Sequence, residues 1–211
     1  MYVPAHFAEP DLATLHALIR ARPLATIVTL TADGLDANHI PMLLDAEASR
    51  LGTLRGHVAR ANPIWQRFRP EVETLLVFAG VDAYVSPSWY ASKARDPRVV
   101  PTWNYEAVHV HGTLTIVDDA DWLHAQLDAL TTAHEAGFAE PWRMADAPAD
   151  YTRKLIGAIV GIEVVISRIV GKRKLSQNRS AADQDGVVTG LQALPDAAGC
   201  PMAARMLSTW R

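Results

Sequence analysis

Leu24 to Thr31, LATIVTLT, is eight residues dominated by β-branched and apolar side chains, and Asp33-Gly34 follows almost at once. Such a run suits a pleated strand better than a helix, and Asp-Gly is a strong hairpin signal. Asp36 to Leu44 (DANHIPMLL) is then the returning strand, with Pro41 placing it at a sheet edge or a bulge. The hairpin sets an antiparallel pattern that the rest of the chain continues. Strands are predicted at Leu51–Val58, Glu73–Gly80, Ala83–Pro87, Val108–Val117 and Ile159–Val170. In Val108–Val117 the apolar Val108, Val110, Leu114 and Ile116 share one face, and His109, His111, Thr113 and Thr115 share the other.

Helices are predicted between these strands. Glu9-Pro10-Asp11 opens one that carries Leu12, Leu15, Leu18 and Ile19 and stops at Pro23. Asn62-Pro63 opens a short one to Phe68, and Asp118-Asp119 caps one running to about His134. Tyr151–Ile156 and Ala181–Leu194 are further helical segments, the second weakened by Gly186 and Gly190. Six or seven strands with peripheral helices predict a mainly antiparallel α+β, barrel-like domain over residues 1–211, with a helical extension from about residue 180.

Composition removes several function classes. Of 211 residues, 49% are apolar and 20% charged, enough for a sizeable core. The formal charge of −3 and pI near 6.2 argue against charge-driven nucleic-acid binding. Cys200 is the sole cysteine, which excludes an intramolecular disulfide and a multi-cysteine zinc site. The opening MYVPAHF is not a basic segment followed by an apolar run, and no apolar run approaches the roughly 20 residues of a membrane helix. The expectation is a soluble, cytoplasmic protein.

Function concentrates in Ala83 to Gly112, AYVSPSWYASKARDPRVVPTWNYEAVHVHG. Trp89, Tyr90, Trp103 and Tyr105 stand among polar groups, as the walls of a planar-cofactor pocket would. A long loop pinned by aromatics onto its own domain accounts for the composition equally well. Three other groups could carry chemistry. In Gly56–Pro63 (GHVARANP) a strand end, Arg60 and a helix start make an anion site suited to phosphate, or simply an ordinary connection. His109 and His111 share a strand face and would need further ligands, such as His39 or His57, to bind a metal. Lys172-Arg173-Lys174 with Gln177-Asn178-Arg179 is a phosphate holder or a solvated basic loop. Nothing resembles a nucleophile elbow, a Walker or Rossmann fingerprint, or a helix-turn-helix.

Six segments in order resemble the PaiB-like family of FMN-binding split-barrel proteins, often labelled negative transcriptional regulators. They are MYVPAHF, HIP at His39–Pro41, GHVARANPIW at Gly56–Trp65, AYVSPSWY at Ala83–Tyr90, VPTWNYEAVHVHG at Val100–Gly112 and KLSQNR at Lys174–Arg179. The segment before AYVSP departs from the pattern in lacking a proline after its glycine. The resemblance implies a six-stranded FMN-binding split barrel, a homodimer, and FMN near the subunit interface. It implies that His57, Val58, Ala59, Arg60 and Asn62 hold the phosphate end. His39, with Thr102, Trp103, Asn104 and Tyr105, would face the ring and ribityl groups. Ser88, Trp89, Tyr90, Lys93, Gln177 and Arg179 would complete the cofactor site, with no metal. DNA is a partner by the family label alone, and the acidic charge gives it little support. An FMN-dependent oxidoreductase acting on a small molecule is the alternative. His57, His109 and Tyr105 are its candidate proton donors, with none singled out.

Overall fold

The computed structural model describes residues 1–195 and 201–210; Cys200 lies outside them. The elements in chain order are β1 (Ala8–Glu9), α1 (Leu12–Ala21), β2 (Leu24–Thr31), β3 (Gly34–Pro41), β4 (Leu43–Asp45), β5 (Thr53–Ala59) and α2 (Ile64–Arg67). There follow β6 (Thr74–Val85), β7 (Thr102–Val117), α3 (Ala120–Glu135), α4 (Ala149–Ile156), β8 (Ile159–Lys174), α5 (Ala181–Gln192) and α6 (Pro201–Trp210). The strand order is β3-β2-β6-β7-β8-β5-β4, with β1 pairing β8 off that path. The β2–β3, β2–β6, β4–β5, β5–β8 and β1–β8 pairs are antiparallel. Among the described residues, no helix is long and apolar enough to cross a membrane.

The chain forms two compact units. Unit 1 comprises Met1–Leu15, Ala79–Val108 and Val170–Arg211; unit 2 comprises His16–Phe78 and His109–Ile169. The core of unit 2 is built from Ile27, Leu54, Leu76, Phe78, Val110, Ile162 and Val164, all buried. These are alternate residues of their strands, so each strand turns one face inward. On α3, Leu123 is buried with Met144 and Ile156. Asp119 caps this helix as expected, accepting from Trp122 N at 2.7 Å. Unit 1 gathers Val85, Tyr90, Leu175, Val187, Leu191, Met202 and Met206, with Trp89 against them.

Several elements differ from expectation. The first hairpin turns on Ala32-Asp33, because Gly34 already pairs with Thr31 at φ +118°. The segments around Glu73–Gly80 and Ala83–Pro87 form one strand, β6, rather than two. Gly80 does not break it. A side chain there would meet Glu106 Cβ at 2.7 Å, so the glycine permits close approach of the two backbones. β7 begins at Thr102, so the aromatic Trp103–Tyr105 segment is strand rather than loop. Over its first five residues, Thr102–Glu106, the buried ones are the polar Asn104 and Glu106, at 0% and 3% exposure. Their partners are also polar, and periodicity of hydrophobicity cannot reveal that. β8 likewise runs on through Lys172-Arg173-Lys174, past the expected strand end at Val170, so this run is strand rather than solvated loop. The helix α5 survives its two glycines because Trp89 packs there. A Cβ on Gly190 would lie 2.3 Å from the indole, and one on Gly186 2.0 Å from Trp89 O.

Candidate functional site

In unit 2, β5 ends with His57 and Ala59 on one face and Val58, 5% exposed, on the other. His57 and Ala59 open onto a cavity of about 450 Å³, walled by Leu127, Tyr151, Leu155, Ile156 and Ile159, with Trp142 and Thr131. That volume falls within the ligand-site range, roughly 300–1,000 Å³. Tyr151 and Leu155 stand four apart on α4, so one helix face supplies both. His57 Nδ1 lies 3.0 Å from Oε1 of Gln126, a buried residue of α3. An Nδ1–H tautomer would donate to that oxygen and leave Nε2 with its lone pair. An adjoining cavity of similar size shares Met144, Ala147, Thr152 and Ile156, and is more polar through His124, Asp128 and Arg153.

Arg60 follows directly on this strand end. Its Nε donates to Gly157 O at 3.0 Å, and Nη2 donates to Ile159 O at 3.0 Å. Nη1 and Nη2 reach the two carboxylate oxygens of Asp118 at 2.9 and 2.5 Å, a bidentate pair. These hydrogen bonds, donated by Arg60 and accepted by Asp118, raise the guanidinium pKa and lower the carboxyl pKa. The Trp65 ring centroid lies 5.9 Å from the guanidinium carbon, and its Nε1 donates to Arg60 O. Asn62 is engaged at both ends, accepting from Ile64 N at 3.0 Å and donating to Asn38 Oδ1 at 2.8 Å. The helix that follows is only four residues long and is preceded by proline, which has no N–H. The oxyanion met in this turn is the Asp118 carboxylate, and it is held by the Arg60 fork rather than by helix-start amides. His39 stands exposed on β3, opposite Thr26 in register.

The other expected residues lie in unit 1. Tyr90, Thr102, Asn104 and Arg179 surround a smaller cavity of about 160 Å³, together with Lys174, Ser176 and Asn178. Gln177 does not line it. Gln177 accepts from Leu175 N and donates to Arg173 O, bracing the turn after β8. Trp89 packs on α5, and exposed Lys93 donates to Ser88 Oγ at 3.3 Å. Trp103 is 53% exposed and meets Tyr84 edge-on at 6.2 Å. The Tyr105 ring takes Lys172 Nζ at 5.0 Å from its centroid. Sequence reasoning passed over Asp118 as more than a cap, over Gln126, and over the cavity walls of α3 and α4. Only Trp142, an aromatic in a proline-containing linker, carried any signal.

Residues 1–168 match the family described as "Putative FMN-binding domain". The uncharacterized protein AN0679 of Emericella nidulans is 33% identical, over 94% of this chain and 93% of that one. Protease synthase and sporulation protein PAI 2 of Bacillus subtilis is 29% identical, over 91% and 89%. Among solved structures, the FAD and heme binding protein from Mycobacterium smegmatis superposes with a TM-score of 0.60 at 18% identity, covering 94% of this chain and 96% of that one. The fold is thus the flavin-binding split barrel, and the chain belongs to the PaiB-like FMN-binding family, with FMN as its cofactor.

Proposed function

We propose that this FMN-binding chain is a flavin-dependent oxidoreductase acting on a small molecule, with the flavin ring in the His57 cavity and the phosphate on Arg60. The observation that carries this reading is a juxtaposition within unit 2. A mostly apolar cavity of ligand size and an oxyanion-binding fork meet at one strand end, Ala59-Arg60. The donor set fits FMN. Asp118 already presents an oxyanion to the fork, and both side chains are solvent-accessible, at 38% and 52%. An exposed pair of this kind holds weakly, so a phosphate carrying nearly two charges can displace the carboxylate. The Trp142 and Tyr151 rings and the aliphatic walls suit a planar heteroaromatic.

When bound, FMN supplies the electron or hydride transfer. The chain's own residues position and gate that chemistry. The apolar walls exclude water, and Gln126 holds the His57 ring in one orientation through Nδ1. Nε2 is then the nitrogen left to take or return a proton.

A second reading is a PaiB-type transcriptional regulator, supported by the sporulation label of the Bacillus subtilis relative. Against direct DNA contact stands the placement of the basic run. Lys172 is 8% exposed, and Arg173 is spent on Glu9 and Glu106. The homodimer is part of the proposal, since Tyr84, Val100 and Trp103 of unit 1 are exposed apolar groups that a second copy would cover.

Flavin titration tests the site. Arg60→Ala should weaken FMN about ten- to a hundredfold and leave riboflavin, which lacks the phosphate, unchanged. Equal FMN affinity in wild type and variant would remove the phosphate from Arg60. Stopped-flow mixing of the flavin-loaded protein with NAD(P)H tests catalysis. Flavin that no nicotinamide reduces, in a protein that retards operator DNA, would favour the regulator.

A further inference from the structure

The small cavity of unit 1 gathers Tyr90, Thr102, Asn104 and Arg179, which the family resemblance counts with the cofactor site, around Lys174 and Ser176, and it is too small for a flavin ring. We propose that it binds a small oxyanion, a carboxylate or phosphate group, held by Lys174 and Arg179 with the hydroxyl of Tyr90.

Three observations support this. First, the charge is unbalanced. Among the described residues, neither Lys174 nor Arg179 meets a carboxylate within ion-pair distance, although the other arginine of the run, Arg173, meets two. Lys174 Nζ donates only to a neutral group, Thr102 Oγ1, and burial, with the Lys172 and Arg179 charges nearby, depresses its ammonium pKa, a shift that a bound anion would oppose. Asp183, the nearest acid in sequence, spends Oδ1 on Ser92 N at 2.8 Å.

Second, Tyr90 Oη is buried with no hydrogen-bond partner among the described residues, in a residue 3% exposed that lines the cavity. A buried hydroxyl without a partner is costly. An incoming oxygen would satisfy it. The Arg179 guanidinium sits 4.6 Å above the centroid of the same ring, so hydroxyl and cation belong to one wall.

Third, the wall is built rather than incidental. Ser176 is the one non-glycine residue among those described with positive φ, at 64°. It is 3% exposed, and its hydroxyl exchanges hydrogen bonds with the fully buried Asn104 amide, 2.9 Å from Nδ2 and 3.2 Å from Oδ1. Gln184 ties the turn from outside, donating to Ser176 O and Arg179 O at 3.2 Å each. Strain of this kind persists only where its surroundings enforce it, and it clusters at ligand clamps. The cavity volume, about 160 Å³, equals roughly five water volumes, which admits a small acid or one acidic headgroup and not a flavin ring.

Calorimetric titration of the full chain with inorganic phosphate and with acetate tests the proposal, using Arg60→Ala as background so that the other fork is silent. At least one anion should bind saturably. Arg179→Gln and Lys174→Ala should each weaken it at least tenfold. Tyr90→Phe, which removes a single oxygen and leaves the ring in place, should weaken it about fivefold. FMN that competes with phosphate while riboflavin does not would identify the flavin phosphate as the source and move it here from Arg60; no competition would identify a free anion. The proposal is overturned if neither anion gives saturable binding in the Arg60→Ala background, or if Arg179→Gln and Tyr90→Phe titrate like that background.

Discussion

Removing the Glu106 carboxylate should destabilise unit 1 by about 3 kcal/mol. The side chain is 1% exposed and faces two arginines, with Arg173 Nε at 2.8 Å from Oε1 and Arg205 Nε at 3.0 Å from Oε2. The second contact is an ion pair out of line for a hydrogen bond, since Oε2 lacks a hydrogen-bond partner. Breaking a buried pair from one side costs about 3–5 kcal/mol, because the other charge stays behind. Two features place Glu106→Ala at the low end. Arg173 retains Glu9 at 3.2 Å and Thr209 Oγ1 at 2.7 Å, and Arg205 is 34% exposed and can rehydrate. Alanine also keeps the Cβ that packs on Gly80, so the strand contact survives and the loss is electrostatic. Glu106→Gln keeps one acceptor for Arg173 and should cost less, about 1–2 kcal/mol. Equilibrium urea unfolding followed by tryptophan fluorescence measures both, as a lowered midpoint at unchanged slope. If Ala and Gln cost the same, or both cost under about 1 kcal/mol, the arginines rehydrate freely and the network contributes no stability.

Gly190→Ala should destabilise despite alanine's better helix propensity of about 1 kcal/mol, because its Cβ would sit 2.3 Å from the Trp89 indole; thermal melts check this. Gly186→Ala should cost more, since the obstacle there is Trp89 backbone oxygen at 2.0 Å, which cannot rotate away. Burial keeps the His109 and His111 imidazoles below their ordinary pKa of about 6.5. The folded state therefore binds fewer protons than the unfolded chain, and stability should fall as pH drops from about 6.5 through the folded-state values. The doubly substituted His109→Gln, His111→Gln protein should show a flatter stability profile over that window, and an unchanged slope would refute the assignment.

The hairpin at Leu24–Thr31 and Gly34–Pro41, the long apolar strands, and the helix starts at Asp11 and Asp119 were legible in the chain, because they rest on local periodicity and local capping. Asp11 accepts from Thr14 N at 2.8 Å, as a cap should. The family was legible too, because its motifs are short and contiguous. The extent of β7 and β8 was not. Asn104, Glu106, Lys172 and Arg173 look outward by polarity, and they turn inward only because each finds a polar or aromatic partner remote in sequence.

The same distinction runs through the sites. Sequence alone determined that a basic residue follows the Gly56–Ala59 strand and that a basic run ends near Arg179. Only the tertiary structure decided which cations are committed. Arg173 is committed to Glu9 and Glu106 in largely buried pairs, Arg60 meets Asp118, 58 residues on, in an exposed pair that a ligand can open, and Lys174 and Arg179 turn onto a cavity. A charge is written in the sequence, but its partner is chosen by how the chain folds back on itself, and pairing decides whether that charge can still take a ligand.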